Sequence, residues 1–194
     1  MKFYHLPTSC SDAVHAALKI TGEPFDAVAV DMAQKDDSFL KANPLGKVPA
    51  LMTENGPMFE GGAINLWLSQ RHPEANLMPD LASPAGAEAL KWLFYCYGTI
   101  HPVWVRFFFP QRIAGEGDAE TVQKLARADS IQNYSLIAQP LENTRFVAGD
   151  DMSLADLYLA ATLHWEGAID NVLSEQFPAL ARLKSDVWAN PLIA

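Results

Sequence analysis

The first patterned stretch, Lys2 to Leu6, is a short apolar-rich run that predicts a strand. Pro7-Thr8-Ser9-Cys10-Ser11-Asp12 then punctuates the chain, and Val14, Ala17 and Leu18 mark a helix that Gly22 can close. Further on, Val48-Pro49-Ala50-Leu51 predicts a strand start, because proline lacks a backbone N–H and fits a sheet only at a strand's beginning or a tight turn. Ile64, Trp67 and Leu68 repeat at i, i+3, i+4, which is helical spacing and places Glu60-Gly61-Gly62 at a helix start.

From Ser83 onward the signals are helical. Ser83-Pro84 reads as N-cap and first helical position of a long segment, Asp118 as another cap, and Pro178 as the start of a late helix ending near Asn190-Pro191. Ser153 and Asp156 are spaced as a capping box, with Met152 and Leu157 placed as a hydrophobic staple. Leu157, Ala160, Ala161 and His164 continue one helix face. Asn76 to Pro84, with prolines at 79 and 84, is the natural linker between an α/β unit over residues 1–78 and an all-α unit over 84–194.

The 194 residues suffice for one or two modest cores. A net charge of −9 argues against general binding to nucleic acid or acidic membranes. The most apolar run, Val103 to Phe109, is interrupted by Arg106 and is too short to span a bilayer. Its aromatics Trp104, Phe107, Phe108 and Phe109 suit a core or the wall of an apolar cleft. The two cysteines, Cys10 and Cys96, have neither metal-ligand nor Cys-x-x-Cys spacing, so no metal site and a reducing compartment are expected. A first residue that leads directly into a strand gives no leader-peptide pattern, and the cytoplasm is the expected location.

Candidate chemistry gathers at three places. A cis bond at Val48-Pro49 would turn the N–H and C=O of Val48 outward, where an extended peptide could pair as an added strand. The helix start at Glu60-Gly61 offers free N–H groups to a carboxylate, while Glu60 offers a negative partner to an ammonium group. Glutathione carries both groups on its γ-glutamyl end. Cys10 falls at a helix N-terminus, where the dipole and N–H groups are expected to lower its pKa; Ser9 and Ser11 are read as capping residues.

This order of strand, cysteine turn, helix, Val-Pro strand and Glu-Gly helix resembles the glutathione transferase superfamily. The resemblance implies a thioredoxin-like α/β N-terminal domain followed by an all-α C-terminal helical domain. Pro7-Thr8-Ser9-Cys10-Ser11 and Glu60-Gly61 are most similar to the bacterial beta class. On that resemblance, Lys35, Lys47, Val48, Pro49, Glu60 and Gly61 bind glutathione, with Lys35 reaching its glycine carboxylate, and Cys10 and His101 are the catalytic pair. Pro102 stands where the family commonly has lysine and implies a kink or break beside His101. Phe94 replaces an asparagine that relatives offer to glutathione or the facing subunit. His5 takes the place of a tyrosine near the end of the first strand, and Tyr4 points to the opposite face.

The implied activity is conjugation of the glutathione thiolate to small hydrophobic electrophiles, with glutathione as co-substrate, in a homodimer. Two alternatives stand beside it. One is a glutathione-dependent thiol–disulfide oxidoreductase using Cys10. The other is a non-catalytic binding or regulatory module that kept the fold.

Overall fold

The computed structural model describes residues 1–193. In the first part, β1 (Lys2–His5), α1 (Ser11–Thr21) and β2 (Asp26–Ala29) form a parallel β-α-β unit, followed by α2 (Asp37–Ala42), β3 (Ala50–Thr53), β4 (Gly56–Phe59) and α3 (Gly61–Arg71). The strands lie in the order β2-β1-β3-β4, with β1 parallel to β2 and antiparallel to β3, and β4 antiparallel to β3. Register pairs Phe3 with Leu51 and Tyr4 with Ala50. Because side chains alternate across a strand, Phe3 and Leu51 face α1 and α3, while Tyr4 and Ala50 face the other way onto Phe39 of α2. Tyr4 thus takes the expected opposite face, and its hydroxyl donates to Ser38 Oγ at 3.1 Å.

The second part is helical: α4 (Pro84–Tyr95), α5 (His101–Phe108), α6 (Gln111–Ala114), α7 (Ala119–Leu141), α8 (Leu154–Thr162), α9 (Val172–Gln176) and α10 (Pro178–Trp188). The caps fall where the sequence places them. Ser83 Oγ accepts from Gly86 N at 3.0 Å with Pro84 at the first helical position, and Asp118 Oδ1 accepts from Thr121 N at 3.0 Å. Gly86 is required there: a Cβ would stand 2.0 Å from the Asp80 carbonyl oxygen of the linker.

Between α4 and α5 the chain neither breaks nor continues as plain α-helix, but widens into a π-turn over Cys96–Ile100. Pro102 supplies the reason. It has no N–H for the carbonyl four residues back and its ring crowds that carbonyl, so an added residue in the turn absorbs the misfit. The expected kink is therefore this π-turn, and His101 leaves it at the first position of α5.

Every residue of α8 is buried, and α8 packs against α1, α4 and α10. Phe3, Leu18, Leu51 and Leu68 of the sheet part share one contiguous apolar cluster with Leu93, Trp104, Leu157 and Leu163 of the helical part. A helix starting inside such a core needs its free N–H groups satisfied locally. Leu154 N donates to the Leu77 carbonyl at 2.9 Å, and the Asp156 carboxylate accepts from the N-cap Ser153 N and Ser153 Oγ, both at 2.8 Å, and from Val147 N of the preceding loop at 2.9 Å. The α-helix ends at Thr162, and His164 lies in the following 3-10 segment, Leu163–Ile169. The spacing that joined His164 to the α8 face therefore overran the helix.

Asp156→Ala leaves buried donors without an acceptor. A loss of about 3 kcal/mol in unfolding free energy is expected by urea denaturation.

Candidate functional site

The turn after β1 is fastened by its two serines. Ser11 Oγ accepts from Leu6 N and bonds Leu6 O, each at 3.0 Å, and Ser9 Oγ accepts from Ser11 N at 3.1 Å. Both serines thus serve the helix start, which leaves Cys10 at the N-cap with a side chain that makes no cap bond. Its sulfur instead reaches across to the Val48 carbonyl oxygen, 3.7 Å away.

The thiol is not activated as its helix position suggested. Burial pushes its pKa up to about 11, and the negative charges of Asp12 and Glu60 add to the rise. The backbone N–H and the Tyr158 hydroxyl pull the other way without overcoming it. Dipole stabilisation at a helix end is worth about 0.3–1 kcal/mol, less than one pKa unit, so desolvation wins here. At neutral pH Cys10 is a thiol. Asp12 is itself raised to about 6, chiefly by burial, and lies 3.8 Å from His164 Nε2.

Val48-Pro49 is cis. Pro49 packs next to the start of α3: a Cβ on Gly61 would meet Pro49 Cγ at 3.2 Å and the Tyr97 hydroxyl at 2.9 Å. Gly61 is therefore demanded by close approach. Glu60 sits at the N-cap with φ 71°, exposed, and its carbonyl begins the helix by accepting from Ile64 N at 3.0 Å. Cys10, Val48, Pro49, Glu60 and Gly61 thus converge on one place. Lys47 and Lys35 lie exposed at its margin. Lys35 runs over the loop, its Nζ 3.0 Å from where a Gly46 Cβ would stand.

The helical part closes this place from the other side. His101 Nδ1 and the Tyr158 hydroxyl are hydrogen-bonded to each other. Burial, with the Lys47 charge adding, lowers the His101 pKa to about 4, so the imidazole is neutral. Tyr158 stacks on Tyr97 at 3.7 Å between ring centroids, and Tyr97 in turn lies over Gly61 and Gly62. Trp165 packs against His101, Trp104 and Phe108, and its Nε1 donates to the Thr8 carbonyl at 2.9 Å, tying the helical part to the cysteine turn. Phe108, Phe109 and Ile113 expose apolar surface. Phe94 is also exposed.

Sequence reading missed Tyr97, Tyr158 and Trp165. Tyr158 lies inside a buried helix, and only the fold reveals that its hydroxyl reaches His101. A separate concavity of about 610 Å³ lies between Leu141 and Arg182. The guanidinium of Arg182 already donates there to the carbonyls of Leu141, Thr144 and Arg145.

Residues 3–76 match the family described as glutathione S-transferase, N-terminal domain, and residues 87–191 match glutathione S-transferase, C-terminal domain. Glutathione S-transferase GST-4.5 of Xanthomonas campestris pv. campestris is 30% identical over 168 residues, covering 85% of this chain and 82% of that protein. The solved bacterial beta class glutathione S-transferase of Sphingomonas chungbukensis is 30% identical with a TM-score of 0.86, over 100% of this chain and 95% of that one. A sphingomonad glutathione S-transferase complexed with glutathione is 29% identical with a TM-score of 0.84, again over 100% and 95% of the two chains.

Asp12→Asn removes a negative charge that raises the Cys10 pKa. Alkylation of Cys10 by iodoacetamide at about pH 8 is expected to quicken by roughly threefold or more. The same variant changes the pH profile of stability. With its pKa raised from 3.8 to about 6, the folded Asp12 holds its proton more tightly than the unfolded one. Its stabilising contribution is full at low pH and is lost as pH rises through about 6. Asp12→Asn should flatten that part of a stability–pH curve measured by urea titration.

Proposed function

The chain belongs to the glutathione S-transferase family, and on that premise we propose that it binds glutathione across Val48, Glu60 and Gly61 and joins the glutathione sulfur to a small hydrophobic electrophile. The observation that carries this reading is the meeting of the Cys10 sulfur, the Val48 carbonyl and the start of α3 in one place, with Lys35 and Lys47 exposed beside it. A γ-glutamyl carboxylate suits the free N–H groups of α3, its ammonium suits Glu60, and the glycine carboxylate suits Lys35. The cysteinyl backbone of the ligand would pair with Val48 as an added strand.

In this reading, residues 1–78 hold glutathione, and residues 84–194 supply the second-substrate wall from Phe108, Phe109 and Trp165, with the buried Trp104 packed behind them. Holding nucleophile and electrophile together provides proximity, and the site stabilises the ligand thiolate. Cys10 takes part as a protonated thiol that donates a hydrogen bond, and its high pKa favours conjugation over disulfide reduction, which needs a thiolate. His101, neutral, stands behind it. Exposed Phe59 and Phe94 offer apolar surface of the kind a second copy covers, which supports a homodimer. Among the described residues no helix is long and apolar enough to cross a membrane, and we place the protein in the cytoplasm.

Titration calorimetry on the reduced protein, up to millimolar glutathione, should show binding that weakens by about tenfold or more in Glu60→Ala, the loss of a charged hydrogen-bond partner. No detectable binding by the unaltered protein would overturn the reading. Cys10→Ser should retain conjugation of glutathione to a chloronitrobenzene within about tenfold, since a hydroxyl also donates a hydrogen bond; complete loss would instead make the thiol the reacting group.

A further inference from the structure

The first turn of α3 is held weakly by its own sequence. Glu60 stands at the N-cap with φ 71°, in the left-handed region that a residue with a Cβ rarely adopts, and no side chain caps the helix there. Gly61 and Gly62 follow, and glycine has the most backbone freedom to lose on entering a helix. Left to these three residues, the turn would fray, because nothing at the helix start fixes the N–H groups that it presents.

The support comes from the helical part of the chain. Tyr97, carried on the π-turn Cys96–Ile100, lays its ring over both glycines. A Cβ on Gly62 would meet the ring atoms Cε2, Cδ2 and Cζ at 3.4, 3.5 and 3.6 Å, so the ring occupies the contact shell that a side chain would otherwise fill. Its hydroxyl lies 2.9 Å from where a Gly61 Cβ would stand. That hydroxyl accepts from Nδ2 of the fully buried Asn65, one turn further along α3, at 3.4 Å. The ring is in turn fixed from the helical side, stacked on Tyr158 with centroids 3.7 Å apart.

We propose that Tyr97 is a positioning residue for the glutathione site: it stands in for the side chains that Gly61 and Gly62 lack and holds the first turn of α3 so that its N–H groups face the ligand. The glycines and the tyrosine are complementary, since a Cβ at 61 would crowd the hydroxyl, and a smaller residue at 97 would leave a gap over a flexible turn. Only the identity of the ligand rests on the glutathione reading. The support of the turn does not.

The first test is hydrogen exchange read by mass spectrometry on the protein without glutathione. In Tyr97→Leu, peptides covering 60–68 should exchange faster by about fivefold or more, as expected when an aromatic contact over a glycine turn is lost, while those from α7 and α10 keep their rates. Tyr97→Phe, which keeps the ring and its stacking, should restore most of the protection. Gly61→Ala approaches the same contact from the other side: its methyl group would press on the hydroxyl and quicken exchange over 60–68. That effect should shrink when Tyr97→Phe is added, because Pro49 Cγ at 3.2 Å is then the nearest neighbour. Calorimetry should show glutathione affinity falling by about fivefold or more in Tyr97→Leu and recovering in Tyr97→Phe.

Unchanged exchange over 60–68 in a folded Tyr97→Leu protein would overturn the proposal. So would faster exchange spread equally over α7 and α10, which would make the ring a general packing group. If Tyr97→Leu does not fold, the Gly61→Ala pair decides, and an effect of Gly61→Ala that is the same with and without Tyr97→Phe counts against the proposal. If the exchange results hold but the unaltered protein shows no glutathione binding, the transferase reading fails and the positioning of α3 stands. If Tyr97→Leu binds glutathione as tightly as the unaltered protein, the positioning role fails and the transferase reading stands.

Discussion

The structure depends on a helix that is buried from end to end. Helix α8 lies between the sheet part and the outer helices, and all nine of its residues are buried. Such a helix cannot start with water on the polar groups at its head, so a carboxylate is carried into the core to accept from the N-cap Ser153 and from Val147, while Leu154 N donates to the Leu77 carbonyl. Burial holds the Asp156 pKa up at about 6, while the bonds from Val147 and Ser153 pull against that rise. The apolar seal around α8 and the polar knot at its head therefore require each other. With the helix fixed in this way, Tyr158 is delivered two residues later to His101, within the same helix.

The electrostatics of the site divide by depth. The inner groups are neutral: the Cys10 thiol is pushed up and the His101 imidazole down, both mainly by burial. The exposed rim carries the charges, Lys35 and Lys47 on one side and Glu60 on the other. On the proposed function, a charged peptide would be met by counter-charges where water still screens them, while its reactive end would enter a region of neutral polar groups and aromatic walls. This is the arrangement in which directed donors gain strength, because a low local dielectric magnifies them.

What could be read from the chain was local chemistry. The strand at Lys2, the proline-led strand at Ala50, the caps at Ser83, Asp118 and Ser153, and the helix starts at Glu60 and Pro178 all follow from properties of a few neighbouring residues. The mixed sheet and the helical second half follow from their order and the family resemblance. What escaped depends on residues far apart in the chain. The rise in the Cys10 pKa needed the burial that comes from α8 and the charge of Asp12. The role of Tyr158 needed a contact with His101 across 57 positions. Pro102 announced a disturbance, but whether it would break, bend or widen the helix was decided by the packing of Cys96 and Ile100 into the core on either side of the turn.

The apolar cluster does not stop between the two halves. Phe3, Leu18 and Leu68 meet Leu93, Leu157 and Leu163 in a single interior, and the Leu77 carbonyl accepts from Leu154 N at 2.9 Å across the linker. For recombination this has a direct meaning. A crossover placed in the linker, between this chain and a diverged relative, looks harmless in an alignment because the cut falls outside every helix and strand. It nevertheless pairs the inner face of α1 from one parent with α8 from the other, and matches one parent's cysteine turn to the other's tyrosine. Successful chimaeras should therefore inherit those two faces together, so that the unit of inheritance is the seam and not the half.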